Sequence, residues 1–434
     1  MDNSLNVKAL ILAGGKGTRL AEITKNVIPK PMVIIDGKPI LERAILQLKK
    51  YGVTDIFISV GFLNEKIRNY FGDGKKFGVN IEYIVENEPL GSGGALFFLK
   101  DKIKSDLIVC PGDVVFDVNF NRLINYHKQK DALITLFTHP NIHPYDSDLI
   151  ITDKEMCVTE INKKNSERNF YYKNLVNAGI FLLSPETLSF FKELKKVNME
   201  HDFVSYFIKS GRVFAYKSSE YVKDVGTTDR FATAEKDLKS GVVATKNSEK
   251  KQKAIFLDRD GTINKYKGFI SDVNDIELLP QVTDAIKKIN SSEYLAIIVS
   301  NQPVIARGEC SFEDVNAMFD KIETLLGKSG AYIDGIYYCP HHPHSGYEGE
   351  VKELKIKCNC RKPEIGMLKK AEKDFNLDLS KCVMIGDGEI DVKTGINANI
   401  PTVLVKTGIK EELSVTPDFY ANNLLEAVNI FIKD

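Results

Sequence analysis

The chain has 434 residues, 43% apolar and 27% charged, with 59 basic and 59 acidic side chains. That length favours two domains over one core, and the charge balance leaves no basic field to draw in nucleic acid or an anionic membrane. Met1–Lys8 lacks the apolar stretch of a signal peptide, no window is long enough to span a bilayer, and seven cysteines do not suggest a secreted disulfide framework, so the cytoplasm is the expected compartment.

Val7–Ala13 reads as a buried strand, and Gly14-Gly15-Lys16-Gly17-Thr18-Arg19-Leu20 follows at once. A glycine-rich turn after a strand lets backbone N–H groups approach phosphate, and Lys16 and Arg19 add positive charge. The pattern is neither the dinucleotide fingerprint nor a P-loop. Next comes Pro29-Lys30-Pro31, which holds an ammonium between two restricted residues. Helix over Pro39–Tyr51, strand over Asp55–Val60, helix over Asn64–Phe71 and strand over Asn80–Val85 then alternate, the rhythm of a parallel sheet covered on both faces. Pro89-Leu90-Gly91-Ser92-Gly93-Gly94 supplies a second flexible loop, where a flat base could lie against backbone. A strand ending at Pro111-Gly112-Asp113 and a turn at Asp224-Val225-Gly226-Thr227 each offer one acid. Because the carboxyl ends of strands in such sheets converge on one crevice, Asp113 and Asp224 are expected to share a magnesium ion.

In this order these residues resemble the sugar-1-phosphate nucleotidyltransferases, over roughly Lys8 to Leu238. The resemblance implies a Rossmann-like fold in which Gly14, Gly15, Gly17, Thr18 and Arg19 hold the triphosphate. Lys30 and Arg19 would neutralise charge at the transferring phosphorus. It further implies that Gly91 and Gly93 line the base pocket and that Asn177-Ala178-Gly179 is the sugar-binding strand, contributing Asn177 and Gly179. Where the family carries a Glu-Lys pair this chain has Lys163-Lys164, and Lys164 matches the lysine. Sugar phosphate is already a competent nucleophile, so positioning and charge neutralisation suffice without a general base.

Thr228–Lys239 reads as helix, and the polar, aperiodic stretch Ser240–Lys253 reads as a tether. The expected domains are therefore 1–245 and 246–434.

Ala254–Leu257 is a buried-strand pattern running into Asp258-Arg259-Asp260-Gly261-Thr262, and two ionised aspartates two apart repel unless a cation lies between them. A helix over Pro280–Ile289, a strand over Leu295–Gln302 ending in Ser300-Asn301-Gln302, and a long helix over Phe312–Leu326 follow. Cys339-Pro340-His341-His342-Pro343-His344 and Cys358-Asn359-Cys360-Arg361-Lys362 supply three thiolates and an imidazole, a complete tetrahedral set for structural zinc. Cys339, His341, Cys358 and Cys360 are the favoured ligands, and such a staple would bring Arg361 and Lys362 beside a bound phosphate. A last strand pattern, Cys382–Asp391, delivers further carboxylates, of which Asp387 completes a magnesium cage with Asp258 and Asp260.

From Lys253 to about Ala421 the chain is similar to the haloacid-dehalogenase-like phosphatases, within their zinc-bearing branch of heptose bisphosphate and histidinol-phosphate phosphatases. That similarity implies a Rossmannoid fold with a zinc-stapled loop, Asp258 as nucleophile, Asp260 as acid and base, and Ser300, Asn301 and Lys362 around the phosphoryl group. Gly388 stands where the heptose enzymes carry lysine. Joined on one chain, the two resemblances imply an α/β enzyme that dephosphorylates heptose 1,7-bisphosphate at C7 and then transfers a nucleotidyl group, GMP from GTP, to the 1-phosphate. Nucleoside triphosphate and heptose phosphates are the expected partners, and nothing in the sequence excludes a homo-oligomer. The competing expectations are a hexose-1-phosphate nucleotidyltransferase joined to a histidinol-phosphate-type phosphatase, or to an inactive phosphatase-like scaffold.

Overall fold

The computed structural model describes residues 7–15, 20–25, 27–346, 348–409 and 412–433. They form two compact units. The first comprises Met1–His139, Asp148–Lys163 and Val176–Asn247, and the second Pro140–Ser147, Lys164–Leu175 and Ser248–Asp434.

In the first unit β1 (Val7–Ala13), α1 (Ile40–Lys50), β2 (Asp55–Val60), α2 (Asn64–Phe71), β3 (Asn80–Val85) and β4 (Asp106–Pro111) alternate as the sequence pattern requires. Helix α1 forms because Ile40, Leu41, Ala44, Ile45 and Leu48 recur at three- and four-residue spacing and are all buried. Then come β5 (Val114–Asp117), α3 (Phe120–Gln129), β6 (Ile134–His139), β7 (Leu149–Thr152), β8 (Val158–Asn162), β9 (Val176–Leu183), β10 (Val213–Lys217), β11 (Tyr221–Asp224) and α4 (Thr228–Lys239). Nine of the strands form one sheet, ordered β8-β7-β9-β4-β1-β2-β3, with β6 also on β9 and β10 on β6. β1 is parallel to β2 on one side and to β4 on the other, so the strand order reverses there. Such a reversal opens a crevice at the carboxyl ends, where the chain after β1 and the chain after β4 face each other. β5 and β11 pair separately as a two-stranded ribbon.

The stretch expected to be a tether is ordered. After α4 the chain turns at Gly241, where φ is +80°, and makes a helical turn over Val242–Thr245. Asn247 is 1% exposed and donates from Nδ2 to Tyr51 Oη at 3.0 Å and Asp117 Oδ1 at 2.6 Å. The polar composition that suggests a linker here serves a buried hydrogen-bond network. From Ser248 onward the backbone belongs to the second unit, where Asn376 Nδ2 donates to the carbonyl of Ser248 at 3.0 Å.

The second unit contains β12 (Lys253–Leu257), α5 (Val282–Asn290), β13 (Tyr294–Asn301), α6 (Phe312–Lys328), β14 (Gly335–Cys339), α7 (Gly366–Phe375), β15 (Val383–Gly386), α8 (Glu389–Ala398), β16 (Thr402–Val405), β17 (Phe419–Ala421) and α9 (Leu424–Phe431). Its six strands are all parallel in the order β14-β13-β12-β15-β16-β17. β12 is fully buried between β13 and β15, so its apolar run continues without alternation, as a strand covered on both faces demands. The two short segments taken from the first half of the sequence belong here too. Thr324 on α6 accepts from Tyr172 N at 2.8 Å and donates to Tyr172 O at 3.1 Å, and Arg168 donates to the carbonyls of Pro144 and Ser147 at 2.8 and 2.6 Å.

One buried side chain of the first unit carries an acid sensitivity. His127 on α3 is 3% exposed, with Nδ1 2.8 Å from Thr135 Oγ1 and Nε2 3.1 Å from Ser184 Oγ. Burial, helped by the Arg212 charge, pushes its pKa down to about 4. The unfolded chain takes up this proton near pH 6.5 while the folded chain refuses it until about pH 4. The stability that neutral His127 contributes is therefore whole above pH 6.5 and is lost as pH falls through about 4, up to about 3 kcal/mol. His127→Gln is expected to flatten the pH dependence of the urea midpoint between pH 7 and 4.5. An unchanged slope would place the acid sensitivity in another group.

Candidate active sites

In the first unit the crevice holds a lysine between two acids. The Pro29-Lys30-Pro31 element forms a tight helical turn over Lys30–Met32 that buries Lys30. Its Nζ donates to Asp113 Oδ2 at 2.7 Å and Asp224 Oδ1 at 3.0 Å. Asp113 follows β4 of the large sheet, as the strand-end rule requires, and Asp224 ends β11 of the separate antiparallel ribbon, which brings it to the same lysine. Thr227 caps α4 by accepting from Arg230 N at 3.4 Å, which aims Arg230 Nη1 back at Asp224 Oδ2, 3.0 Å away. Burial opposes the charge on Asp224, but Lys30 and Arg230 outweigh it and hold its pKa below the ordinary carboxyl value. Arg230 was not read from the sequence; an arginine three residues after a helix-capping threonine was the available signal.

Of the expected phosphate loop, Gly14 and Gly15 lie among the described residues, while Gly17, Thr18 and Arg19 lie outside them. A Cβ on Gly14 would come 3.4 Å from Glu86 Oε1. The loop expected to hold the base is braced by the Val197–Met199 backbone. Gly93 N donates to Val197 O at 2.9 Å, Val197 N donates to Leu90 O at 2.9 Å, and Met199 N donates to Ser92 Oγ at 2.9 Å. Gly91 has φ +77° and a Cβ there would meet Val197 O at 2.5 Å, so no other residue fits without moving the brace. On β9 the register shifts between Asn177 and Phe181, an irregularity that re-aims side chains. There Asn177 Nδ2 donates to Glu200 Oε1 at 3.0 Å, and Gly179 has φ +76°. Glu200 is a further acid that the sequence did not single out, and burial raises its pKa. Lys164 is not grouped with these residues: it belongs to the second unit, with its ammonium 4.0 Å from Asp146 Oδ1.

In the second unit three strands deliver the site. Asp258 follows β12, Ser300 and Asn301 end β13, and Asp387 follows β15. Lys362, almost fully buried, donates to Asp258 Oδ1 and to Asp391 Oδ1, each at 2.6 Å. Asn301 fixes that lysine by accepting from Lys362 N at 2.9 Å and donating to Lys362 O at 3.1 Å. Ligand oxygens of Asp258, Asp387 and Asp391 lie within 4.8 Å of one another. Asp391 takes the place in this cluster that was expected of Asp260. It stands in the first turn of α8, where it also accepts from Gly388 N at 3.2 Å, so the helix start turns it back toward the strand end. Asp260 instead faces Arg259, whose Nε and Nη2 reach both of its oxygens at 2.8–3.0 Å, and it accepts from Asn264 Nδ2 at 2.9 Å. Ser300 Oγ accepts from Gln302 Nε2 at 2.8 Å. Arg361 donates to His341 O at 3.1 Å and so braces the cysteine loop.

Backbone crowds the carboxylates: a Cβ on Gly261 or Gly408 would come within 2.2 or 1.8 Å of Asp387 Oδ2. Burial, opposed by Lys362 and reinforced by Asp391 and Asp260, pushes the Asp258 pKa up to about 7, and burial with Asp258 and Asp391 pushes Asp387 up to about 8. A cluster so short of positive charge has room for a divalent cation with oxygen ligands.

The cysteine loop gathers Cys339, His341, Cys358 and Cys360, whose donor atoms lie 3.3–3.6 Å apart along the measured edges. A tetrahedral zinc with thiolates at about 2.3 Å has S–S edges of roughly 3.8 Å, so the set fits zinc with little adjustment. His342 turns away, with Nδ1 3.0 Å from His344 O.

These two sites on two doubly wound sheets define an enzyme that combines nucleotidyl transfer with phosphate-ester hydrolysis. The nucleotidyl transferase family model matches residues 8–241, more than half of the chain, and the HAD-hydrolase-like model matches residues 359–427. D-glycero-β-D-manno-heptose-1,7-bisphosphate 7-phosphatase of Yersinia pestis is 36% identical over 176 residues, covering 40% of this chain and 92% of that protein. The enzyme of the same name from Haemophilus influenzae is 40% identical over 157 residues, covering 36% of this chain and 83% of that protein. The solved structure of HddC from Yersinia pseudotuberculosis is 27% identical, with a TM-score of 0.46, covering 53% of this chain and 99% of that one. The chain belongs to the nucleotidyl transferase family and, through its phosphatase part, to the family of these heptose bisphosphate phosphatases. Among the described residues no helix is long and apolar enough to cross a membrane.

The raised carboxyl pKa values make a prediction with a definite sign. Protons bind Asp258 and Asp387 more tightly in the folded chain than in the unfolded one, where carboxyls titrate near pH 4. The stability they contribute is whole below about pH 4 and is lost as pH rises through about 7 to 8. In magnesium-free buffer the melting temperature is expected to fall between pH 6 and 8.5, and added Mg²⁺ to raise it more at pH 8.5 than at pH 6. Asp387→Asn should remove most of both effects in the same thermal scans.

Proposed function

We propose that the chain catalyses two consecutive steps in making a nucleotide-activated heptose. The second unit removes the 7-phosphate of D-glycero-D-manno-heptose 1,7-bisphosphate, and the first unit joins GMP from GTP to the remaining 1-phosphate, releasing pyrophosphate. The observation that carries this reading is the presence of both carboxylate–lysine clusters on one polypeptide, since hydrolysis at one yields the nucleophile for the other. The names of the phosphatase relatives support the sugar.

In the phosphatase unit Asp258 attacks phosphorus, and Lys362 holds the phosphoryl oxygens with Ser300 beside it. Asp260 gives a proton to the departing O7 and then takes one from the water that cleaves the aspartyl phosphate. Asn301 keeps Lys362 in place, and Arg361 stabilises the loop that carries it. In the transferase unit Gly14, Gly15, Gly17, Thr18 and Arg19 receive the triphosphate, Gly91 and Gly93 the base, and Asn177 and Gly179 the sugar. Lys30 neutralises charge at the α-phosphorus. Magnesium, held by Asp113 and Asp224 in one unit and by Asp258, Asp387 and Asp391 in the other, would offset phosphate charge when bound. Zinc on Cys339, His341, Cys358 and Cys360 would be structural, closing the loop that precedes Lys362.

Supplying heptose 1,7-bisphosphate with each nucleoside triphosphate in turn, and weighing the nucleotide sugar by mass spectrometry, tests the whole reading. GDP-heptose is the expected product. Conversion of mannose or glucose 1-phosphate but not of the heptose phosphate would overturn the sugar, and preferential hydrolysis of histidinol phosphate would overturn the phosphatase substrate. Asp258→Asn should abolish phosphate release while sparing conversion of heptose 1-phosphate, and Asp224→Asn should do the reverse. Elemental analysis should find one zinc per chain, lost in Cys360→Ser together with several degrees of melting temperature.

A further inference from the structure

Arg259 stands between the two aspartates of the β12 turn, yet it is 1% exposed, among the largest fully buried side chains of the protein. Its Nε donates to Asp260 Oδ2 at 3.0 Å, and its Nη2 donates to Oδ1 at 3.0 Å and Oδ2 at 2.8 Å. Its far side is packed on α6, with Nη1 3.8 Å from Met318 Sδ and the guanidinium 5.5 Å from the centre of the Phe319 ring. The backbone is pinned as well, because Arg259 O accepts from Ile263 N at 2.8 Å and Asn264 N at 3.0 Å. The other side-chain donors to Asp260 are neutral amides, Asn264 Nδ2 at 2.9 Å and Gln302 Nε2 at 3.4 Å.

We infer that Arg259 is a positioning residue for proton transfer in the phosphatase unit, fixing the plane and direction of the Asp260 carboxylate through a two-oxygen fork anchored on α6. A guanidinium does not give up its proton, so Arg259 acts only through Asp260. A planar fork matches both oxygens, whereas a lysine at the same place offers one point charge and no flat face for Phe319. The inference rests on the reading of Asp260 as acid and base. In that sequence the Asp258 carboxylate forms a bond to phosphorus as the P–O7 bond breaks, and O7 leaves with the Asp260 proton. Water then bonds to phosphorus, its proton goes to Asp260, and the Asp258–phosphorus bond breaks to free inorganic phosphate.

The leaving group separates positioning from mere folding. A sugar alcohol needs the proton, whereas p-nitrophenolate departs without one. The test uses full-length Arg259→Lys, Asp260→Asn and the double variant, with heptose 1,7-bisphosphate and p-nitrophenyl phosphate as substrates. Arg259→Lys is expected to lower kcat on the sugar ester about 100-fold with KM changed less than about threefold, within the usual contribution of a positioned acid. With p-nitrophenyl phosphate it should keep a rapid burst of nitrophenolate followed by slow turnover, because attack by Asp258 survives while water activation does not. The double variant should be no slower than Asp260→Asn alone. The inference is overturned if Arg259→Lys keeps kcat on the sugar ester within about threefold of the parent. It is equally overturned if the burst disappears with turnover, which marks a collapsed site, or if the two losses multiply. Wild-type turnover in Asp260→Asn would instead remove the acid–base reading beneath it.

Discussion

Carboxylates gathered at strand ends and at a helix start repel one another, and the electrostatics of these two sites follow from which cations relieve that repulsion. In the first unit two acids, Asp113 and Asp224, meet two cations, Lys30 and Arg230, and the cluster is formally neutral. In the second, Asp258, Asp387 and Asp391 share the single ammonium of Lys362, and the cluster is two charges short. The pKa directions follow that difference: Asp224 is held low, while Asp258 and Asp387 are driven up. Removing ions from water costs several kcal/mol each unless they are well paired, so the second cluster is the one with the greater uncompensated negative charge to offer a divalent ion.

Both units reach this arrangement by the same architectural device. The strand order reverses at β1 in one sheet and at β12 in the other, and a neighbouring strand end brings Asp113 into one crevice and Asp387 into the other, while Asp224 reaches the first from the separate ribbon and Asp391 the second from the first turn of α8. What differs is the source of the positive charge. Lys30 comes from a short proline-flanked turn, whereas Lys362 is carried by a long loop that also gathers the cysteine–histidine cluster.

Strands and their terminal acids were legible in the sequence because a fully buried parallel strand is an unbroken apolar run, and its end is marked by glycine and aspartate. The four metal-type donors of the loop were legible for a similar reason: few other roles call for three cysteines and a histidine so close together. Partners set by side-chain direction were not. Asp391 lies in the carboxylate-bearing stretch legible there, but that it and not Asp260 joins Asp258 depends on the first turn of α8 pointing it backward, and Arg259, flanked by two acids, reads as a solvated charge until α6 is known to cover it. The junction misled through composition, since the polar residues that suggest a linker include Asn247, which is buried against Tyr51 and Asp117.

The assignment of Pro140–Ser147 and Lys164–Leu175 to the second unit has a practical bearing on dissection of the protein. A gene truncated at the junction would strip the phosphatase fragment of the backbone that Thr324 grips at Tyr172, leaving that hydroxyl with the Asp320 carbonyl of its own helix and the helix face bare to water. Fragments made that way would report on the wound as much as on the chemistry, so the activities of this polypeptide are better separated by single substitutions in the intact chain.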